Sequence, residues 1–160
     1  MDFEIFVHGE KAAELKPVTS GAAPDFTLLD LKGNEIRLSE LKKTVLISVF
    51  PNINTRVCSL QTKHFNQEAA HHPEFDFLSI SNNSAQEQRQ WCAAEGVDMT
   101  ILSDDGTFGR AYGLLMETGP LKGRLARAVF VIKAGEIVYH EILKETSEEP
   151  NYQAALDAAQ

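Results

Sequence analysis

The sequence predicts an α/β fold with a mixed central sheet flanked by helices. Two features carry this prediction: apolar runs of strand length alternate with segments of helical spacing through the middle of the chain, and hairpin-like pairs lie at both ends. The length of 160 residues and an apolar content of 43% are those of an ordinary globular protein. We therefore expect one domain over residues 1–160, with a sizeable core.

The segment 44–69 organises the prediction. Residues 45–50 form an apolar run rich in β-branched and aromatic side chains, which indicates a strand buried on both faces and ended by Pro51. After a polar turn, apolar positions recur at helical spacing and place four residues on one face: Cys58, Thr62, Phe65 and Ala69. The spacing therefore predicts a helix that begins just before Cys58.

Cys58 is the first candidate functional residue. The prediction places it in the first turn of a helix, just beyond the carboxyl end of a central strand, where open α/β sheets hold their ligands. Unpaired backbone N–H groups and the helix dipole favour a negative charge at this position. A thiol located there is favoured as the thiolate, which is the reactive form of cysteine.

The remaining elements follow from turn and cap signals. Expected strands, several of them paired in hairpins, cover residues 3–7 with 11–15, 26–29 with 35–38, 75–81, 99–103, and 125–132 with 137–143. Expected helices cover 84–95, which opens on a capping box at Ser84 and closes on Gly96, then 107–113 and 151–159. Residues 16–24 are expected to be a loop, and Ser39 to cap a short helical turn at 40–42.

Charge and targeting signals narrow the compartment and the partners. The chain has 15 Lys and Arg against 23 Asp and Glu, a net charge of −8, without a basic run. This composition argues against nucleic acid and anionic membranes as partners. No stretch approaches transmembrane length, and residues 1–10 do not resemble a secretory signal, so we expect a cytoplasmic protein.

The two cysteines, Cys58 and Cys92, are separated by 92 − 58 = 34 residues. This spacing is neither a CxxC redox motif nor a zinc ligand set, and a permanent disulfide is not expected in the cytosol. Two buried small apolar side chains would be the ordinary interpretation. Cys92 falls in the last turn of its predicted helix, where the backbone frays most easily.

Several motifs together resemble a known family. PNINTRVC fits the P-x-x-x-T-x-x-C active-site pattern of the peroxiredoxins, and the surrounding sequence looks like the thiol peroxidases, the atypical two-cysteine peroxiredoxins. Further matching stretches occur in the family order: KHFNQEA, WCAAEGV, AYG followed by GPLKGRLARAVFVI, and EEPNYQAAL. The resemblance implies a thioredoxin-like fold with an N-terminal hairpin extension, and it covers nearly the whole chain.

The resemblance also implies a role for each matching residue. Cys58 matches the peroxidatic cysteine, whose sulfur attacks hydrogen peroxide or an organic hydroperoxide, and Cys92 matches the resolving cysteine that then forms an intramolecular disulfide. Thr55, Arg127 and Pro51 match the residues that bind the peroxide and shield the sulfur. Thioredoxin would re-reduce the disulfide, in antioxidant defence and redox homeostasis. The family implies a homodimer and needs no metal, flavin or haem.

Each assignment has a plainer alternative. Thr55 is equally consistent with a helix N-cap, and Pro51 with a strand terminator. An arginine in a strand usually points to solvent, although Arg127 between two alanines of a core strand would need a partner. For the whole protein, the alternative is a thiol–disulfide oxidoreductase or a redox-sensing binding module on the same fold. The absence of CxxC weighs against the oxidoreductase.

Trp91 offers a reporter on the cysteine chemistry. It is the only tryptophan and it adjoins Cys92. A disulfide needs Cα atoms within about 7 Å, and the two cysteines are predicted to lie on different helices. We therefore expect the end of one or both helices to rearrange when the disulfide forms.

Overall fold

The computed structural model describes residues 3–160. The strands are β1 Phe3–Val7, β2 Glu10–Leu15, β3 Gly21–Ala22, β4 Thr27–Asp30, β5 Glu35–Arg37, β6 Thr44–Val49, β7 Phe75–Ser81, β8 Ile101–Ser103, β9 Ala128–Lys133 and β10 Glu136–Ile142. The helices are α1 Arg56–His71, α2 Ala85–Glu95, α3 Thr107–Tyr112 and α4 Tyr152–Ala159. No helix within the described residues is long and apolar enough to cross a bilayer.

A mixed sheet in the order β3-β10-β9-β6-β7-β8-β4-β5 forms the centre of the fold. Its central strand, β6, pairs parallel with β7 and antiparallel with β9. Five of its six residues are buried, as a run of β-branched and aliphatic side chains predicts for a strand covered on both faces. The chain leaves β6 at its carboxyl end, passes through a turn and enters α1, so the start of α1 lies over the sheet edge.

The two faces of the sheet are covered by different elements. On one face, α1 and α4 pack through Phe65, Ala155 and Leu156 against Leu46 and Val129. The other face packs on α3 and on the N-terminal segments through a larger apolar cluster. A third, smaller cluster lies at the end of β6 and contains Phe50, Ile53, Cys58, Trp91, Val97 and Ile101. Because this cluster joins α1 to α2, it brings the two cysteine-bearing helices together.

The hairpin β1–β2 forms a separate two-stranded sheet. Its outer contacts run to the loop between β10 and α4, where the Phe6 N–H donates to the Lys144 carbonyl at 2.6 Å and the Thr146 N–H donates to the Phe6 carbonyl at 3.0 Å. The hairpin therefore packs on the loop that leads into α4.

Most of the predicted elements are confirmed. The mixed sheet, the three hairpin pairs, the strand 75–81 and the helix that follows Ser84 occur where the sequence predicts them, apart from the boundaries given below. The Ser84 capping box forms in both directions with Glu87, and Gly96 ends α2 with a left-handed φ of 67°. Local cap chemistry therefore defines α2, the helix that carries Cys92.

Three element boundaries were predicted wrongly by two residues or more, and one short strand was not predicted. The helical turn expected at 40–42 is a 3₁₀ turn at Leu38–Glu40, because the Ser39 N–H bonds Asp25 and Ser39 does not cap it. Residues 21–22 of the expected loop pair with β10 as β3. The strand expected from residue 99 begins at 101. The strand expected from 125 begins at 128, since Leu125 forms an isolated bridge with Leu115.

Candidate active site

Cys58 is the third residue of α1 and its side chain is fully buried. The turn before it is held from the end of β7, because the Asn83 side chain accepts from the Ile53 N–H at 2.8 Å and donates to the Asn52 side chain at 3.0 Å. Asn83 is itself completely buried. A fixed turn places the first helical turn, and with it the Cys58 sulfur, at the carboxyl end of β6.

Arg127 lies against this sulfur. Its guanidinium Nη1 is 3.3 Å from Cys58 Sγ and donates at 2.9 Å to Gln61 Oε1. The other side of the fork donates twice to the Thr146 carbonyl, from Nε at 3.1 Å and from Nη2 at 2.7 Å. Only 3% of Arg127 is exposed. The sequence left open whether Arg127 points to solvent or to a partner in the core. In the structure each of its three guanidinium nitrogens bonds a partner in the core.

The charge of Arg127 is not neutralised by a carboxylate. Among residues 3–160, no Asp or Glu oxygen lies within ion-pair distance of the guanidinium. Of its hydrogen-bond partners, only Cys58 can ionise. An unpaired charge in a protein interior is costly. The Cys58 sulfur therefore lies beside a buried cationic donor that has no carboxylate partner among the described residues.

Gln61 is a site residue that the sequence analysis missed. Its amide nitrogen donates to Ser48 Oγ at 2.7 Å and to the Val49 carbonyl at 3.2 Å, while its oxygen accepts from Arg127. Gln61 therefore ties the guanidinium to the central strand. A signal was present in the sequence, since a glutamine three residues after Cys58 falls on the buried face of the helix and must find polar partners there.

Thr55 and Pro51 lie in the segment between β6 and Cys58. Thr55 occupies the N-cap position of α1, but its side chain does not cap the helix. Instead the Thr55 hydroxyl donates to the Asn52 carbonyl at 2.8 Å, and the side chain is exposed at the surface. Because this bond uses the hydroxyl hydrogen, the Thr55 oxygen is left as an acceptor toward a molecule in the turn. Pro51 is buried where β6 ends.

Cys92 lies in the last turn of α2 and is half-buried against the small cluster that contains Cys58. Both cysteines are free thiols. Burial raises the pKa of the Cys92 thiol above its ordinary value, and the nearby Asp98 carboxylate adds to the rise. Next to it, the Trp91 indole N–H donates to Ser59 Oγ at 3.2 Å, which links the neighbours of the two cysteines across α1 and α2.

The other polar clusters have structural partners. The His72 ring contacts Glu68 and Glu74, and Asp104 accepts backbone N–H groups at the start of α3. Within the described part of the chain, no three His, Cys, Asp or Glu residues are grouped closely enough to hold a metal ion.

Comparison with known proteins gives consistent matches. Residues 19–156 match the family model described as Redoxin. Curated thiol peroxidases of Listeria monocytogenes and Staphylococcus haemolyticus are 47% and 45% identical to this chain, over 86% and 85% of it respectively and over 84% of each relative.

Solved structures extend the similarity to the whole fold. A peroxiredoxin-like protein from Aquifex aeolicus superposes with a TM-score of 0.88 at 28% identity, over 97% of this chain and 95% of that one. A thiol peroxidase from Chromobacterium violaceum gives a TM-score of 0.85 at 20% identity, over 98% and 95% of the two chains. The latter identity carries the fold alone, and both confirm the thioredoxin-like architecture.

The position of Gln61 leads to a stability prediction. Gln61→Leu leaves Ser48 Oγ and one guanidinium N–H without their partner, so we expect a loss of about 1–3 kcal/mol in the free energy of unfolding. Urea denaturation of the reduced protein measures it. Gln67→Leu on the exposed face of the same helix is the matched control and should change stability by no more than about 0.5 kcal/mol. Equal effects of the two variants would contradict the bridging role.

Proposed function

The chain belongs to the redoxin family and, within it, to the thiol peroxidases, and from this premise we propose how it reduces peroxides. We propose that Cys58 is the peroxidatic residue. The observation that carries this proposal is the buried Arg127 guanidinium, which lies 3.3 Å from a buried cysteine sulfur and has no carboxylate partner among residues 3–160. A cationic donor fixed on a thiol is the environment that activates cysteine as a nucleophile.

The first step transfers one oxygen atom to sulfur. The Cys58 thiolate attacks one oxygen of the hydroperoxide, an S–O bond forms, and the O–O bond breaks with its electron pair leaving on the second oxygen. That oxygen takes up a proton and departs as water or an alcohol. Arg127 and the first-turn N–H groups are positioned to stabilise the charge that develops on it. Sulfur is oxidised to the sulfenic acid and no cofactor takes part.

Thr55 and Pro51 would prepare the substrate for this attack. The Thr55 oxygen, with its hydrogen already donated to Asn52, can accept the O–H of the incoming hydroperoxide. Pro51 lacks an N–H and would wall the sulfur without offering a competing donor. These roles make both residues parts of the peroxide site.

The second step would be resolution by Cys92. Its thiol attacks the Cys58 sulfenic acid, an S–S bond forms, and the hydroxyl leaves with the thiol proton as water. Contact of both cysteines with one small cluster supports an intramolecular reaction. The raised pKa of Cys92 keeps that proton on the Cys92 sulfur until the sulfenic acid has formed on Cys58.

Regeneration requires a second thiol protein. We propose thioredoxin as the electron donor, since the half-buried Cys92 at a helix end is the more accessible sulfur of the disulfide. This cycle suits the cytoplasm, where thiol reductants are maintained, and would serve antioxidant defence and redox homeostasis. We also propose a homodimer, on the family resemblance.

The intact mass of the protein gives the most direct test of this cycle. Reduced protein mixed with one equivalent of hydrogen peroxide, without added thiol, is expected to lose two hydrogens per chain within seconds and to stay monomeric under denaturing conditions. Cys92→Ser should instead retain an oxidised Cys58, and Cys58→Ser should not react. A cross-linked dimer would contradict intramolecular resolution. An unchanged mass after minutes would contradict Cys58 as the peroxidatic residue and favour the binding-module alternative.

Arg127→Lys tests the guanidinium directly. A lysine ammonium cannot bond Thr146 through one edge and Cys58 and Gln61 through the other. We expect the second-order rate constant of Cys58 oxidation to fall by about 10²–10³-fold, the usual loss for one donor to a developing oxyanion. Arg124→Lys in the same loop is the control and should retain the rate. A loss below about threefold would remove Arg127 from the proposed chemistry.

Trp91 should report the rearrangement that the disulfide requires. Its indole bonds Ser59 beside Cys58, so movement of either helix end changes its surroundings. We expect its fluorescence to change on oxidation and to return on reduction, whereas Cys92→Ser treated with the same peroxide lacks the disulfide-linked change. Identical spectra of the reduced and disulfide forms would contradict the rearrangement.

A further inference from the structure

The N-terminal hairpin lies outside the residues that match the redoxin model, which begin at 19. It nevertheless contacts the loop between β10 and α4, the loop that supplies the Thr146 carbonyl to Arg127. This connection gives a segment outside the family match a route to the proposed peroxide site.

Backbone hydrogen bonds form the first part of the connection. Phe6 donates its N–H to Lys144 and accepts from the N–H of Thr146, so residues 144–146 run beside β1 like a short parallel strand. The carbonyl of the same Thr146 accepts both the Nε and Nη2 bonds of Arg127. Thr146 therefore bonds the hairpin through its N–H and Arg127 through its carbonyl.

The Glu145 side chain forms the second part. Its Oε1 accepts the Gly9 N–H at 2.7 Å, and its Oε2 accepts the His8 N–H at 3.2 Å. His8 and Gly9 form the β1–β2 turn with φ values of 50° and 82°, and this left-handed backbone turns both N–H groups toward one carboxylate. The Glu145 carboxylate also accepts from the N–H and the hydroxyl of Ser147.

The protonation state of Glu145 agrees with this geometry. The N–H groups of Ser147, Gly9 and His8 lower its pKa to about 2. The carboxylate is therefore fully charged at neutral pH and available as an acceptor for the turn of the hairpin.

We propose that Glu145 is a positioning residue for peroxide reduction: it clamps the hairpin turn to the loop and thereby holds the Thr146 carbonyl where it orients Arg127 toward Cys58. The inference rests on the proposed function of Cys58 and Arg127. It assigns to the N-terminal hairpin a part in catalysis that acts through the guanidinium, without contact with the substrate. The clamp acts at neutral pH through hydrogen bonds of a charged acceptor, which are the stronger kind.

The test compares two reactions of one sulfur. Loss of the Cys58 thiol to hydrogen peroxide and its alkylation by iodoacetamide are measured at pH 7 in a Cys92→Ser background, by quenched-flow mass spectrometry. Both reactions need the thiolate, but only the peroxide reaction needs a donor at the leaving oxygen. The ratio of their rate constants therefore reports the placement of Arg127, whereas general loosening of the fold changes access for both reagents together.

Glu145→Gln removes the charged acceptor at nearly constant shape. We expect the peroxide-to-iodoacetamide ratio to fall roughly tenfold, as small misplacements of a catalytic group commonly cost. Glu14→Gln is the matched control and should keep the ratio. It makes the same change in β2, at a carboxylate whose ion-pair partner, Lys11, lies in the same hairpin. Glu145→Asp, which keeps the charge but shortens the reach, should lower the ratio by about twofold to threefold.

The outcomes separate this inference from the function on which it rests. If the Glu145→Gln protein folds and keeps the rate ratio of the Cys92→Ser background, the positioning role is wrong. If the Gln variant does not fold, an unchanged ratio in Glu145→Asp contradicts the role instead. A Glu14→Gln ratio that falls equally overturns it too, since any charge loss in the hairpin would then suffice. If Cys58 of the background protein itself does not react with peroxide, the proposed function and the positioning role both fall.

Discussion

The contact between the Arg127 guanidinium and the Cys58 sulfur determines how the other residues of this site are arranged. Only 3% of Arg127 is exposed, and a buried guanidinium is tolerable only if its donors are satisfied. The three guanidinium nitrogens bond the Thr146 carbonyl, Gln61 Oε1 and the Cys58 sulfur. The buried guanidinium is therefore a fixed cationic donor that lies directly against the Cys58 sulfur.

This constraint explains why distant segments converge on one point. The sulfur comes from the first turn of α1, the guanidinium from the residue before β9, and the carbonyl that orients it from the loop after β10. Antiparallel pairing of β6 with β9 brings the first two together, and β10 beside β9 brings the third. The hairpin β1–β2 adds a support from outside the sheet. The mixed sheet thus assembles, from four segments, a site that none of them contains alone.

The sequence predicted the parts of this arrangement that rest on local chemistry. Runs of apolar residues located β6 and β7, and the cap residues Ser84 and Gly96 located α2 almost to the residue. It did not predict Gln61, the Thr146 carbonyl or the Glu145 clamp, because each depends on a partner 66, 19 or 136 residues away. A backbone carbonyl has no sequence signature at all. The start of β9 was misplaced because apolar residues before it pack without pairing in the sheet.

The Cys58 side chain is buried, but the proposed resolving step requires its sulfur to meet Cys92. Besides the apolar cluster that contains Trp91, two weak polar contacts join the two helices: a neutral bond between Trp91 and Ser59, worth about 1 kcal/mol, and a partly exposed Lys63–Glu95 ion pair, worth no more. The core contacts of Phe65 behind them are far stronger, since truncating a buried phenylalanine costs about 3–5 kcal/mol. We therefore expect the last turn of α2 to open more easily than α1, because Cys92 there is only half-buried whereas Cys58 and Phe65 of α1 are fully buried. In the cycle proposed above, the peroxide step uses the buried hydrogen bonds around Arg127 and the resolving step uses movement at the end of α2, so that one small domain would hold a sulfur rigidly and then release it.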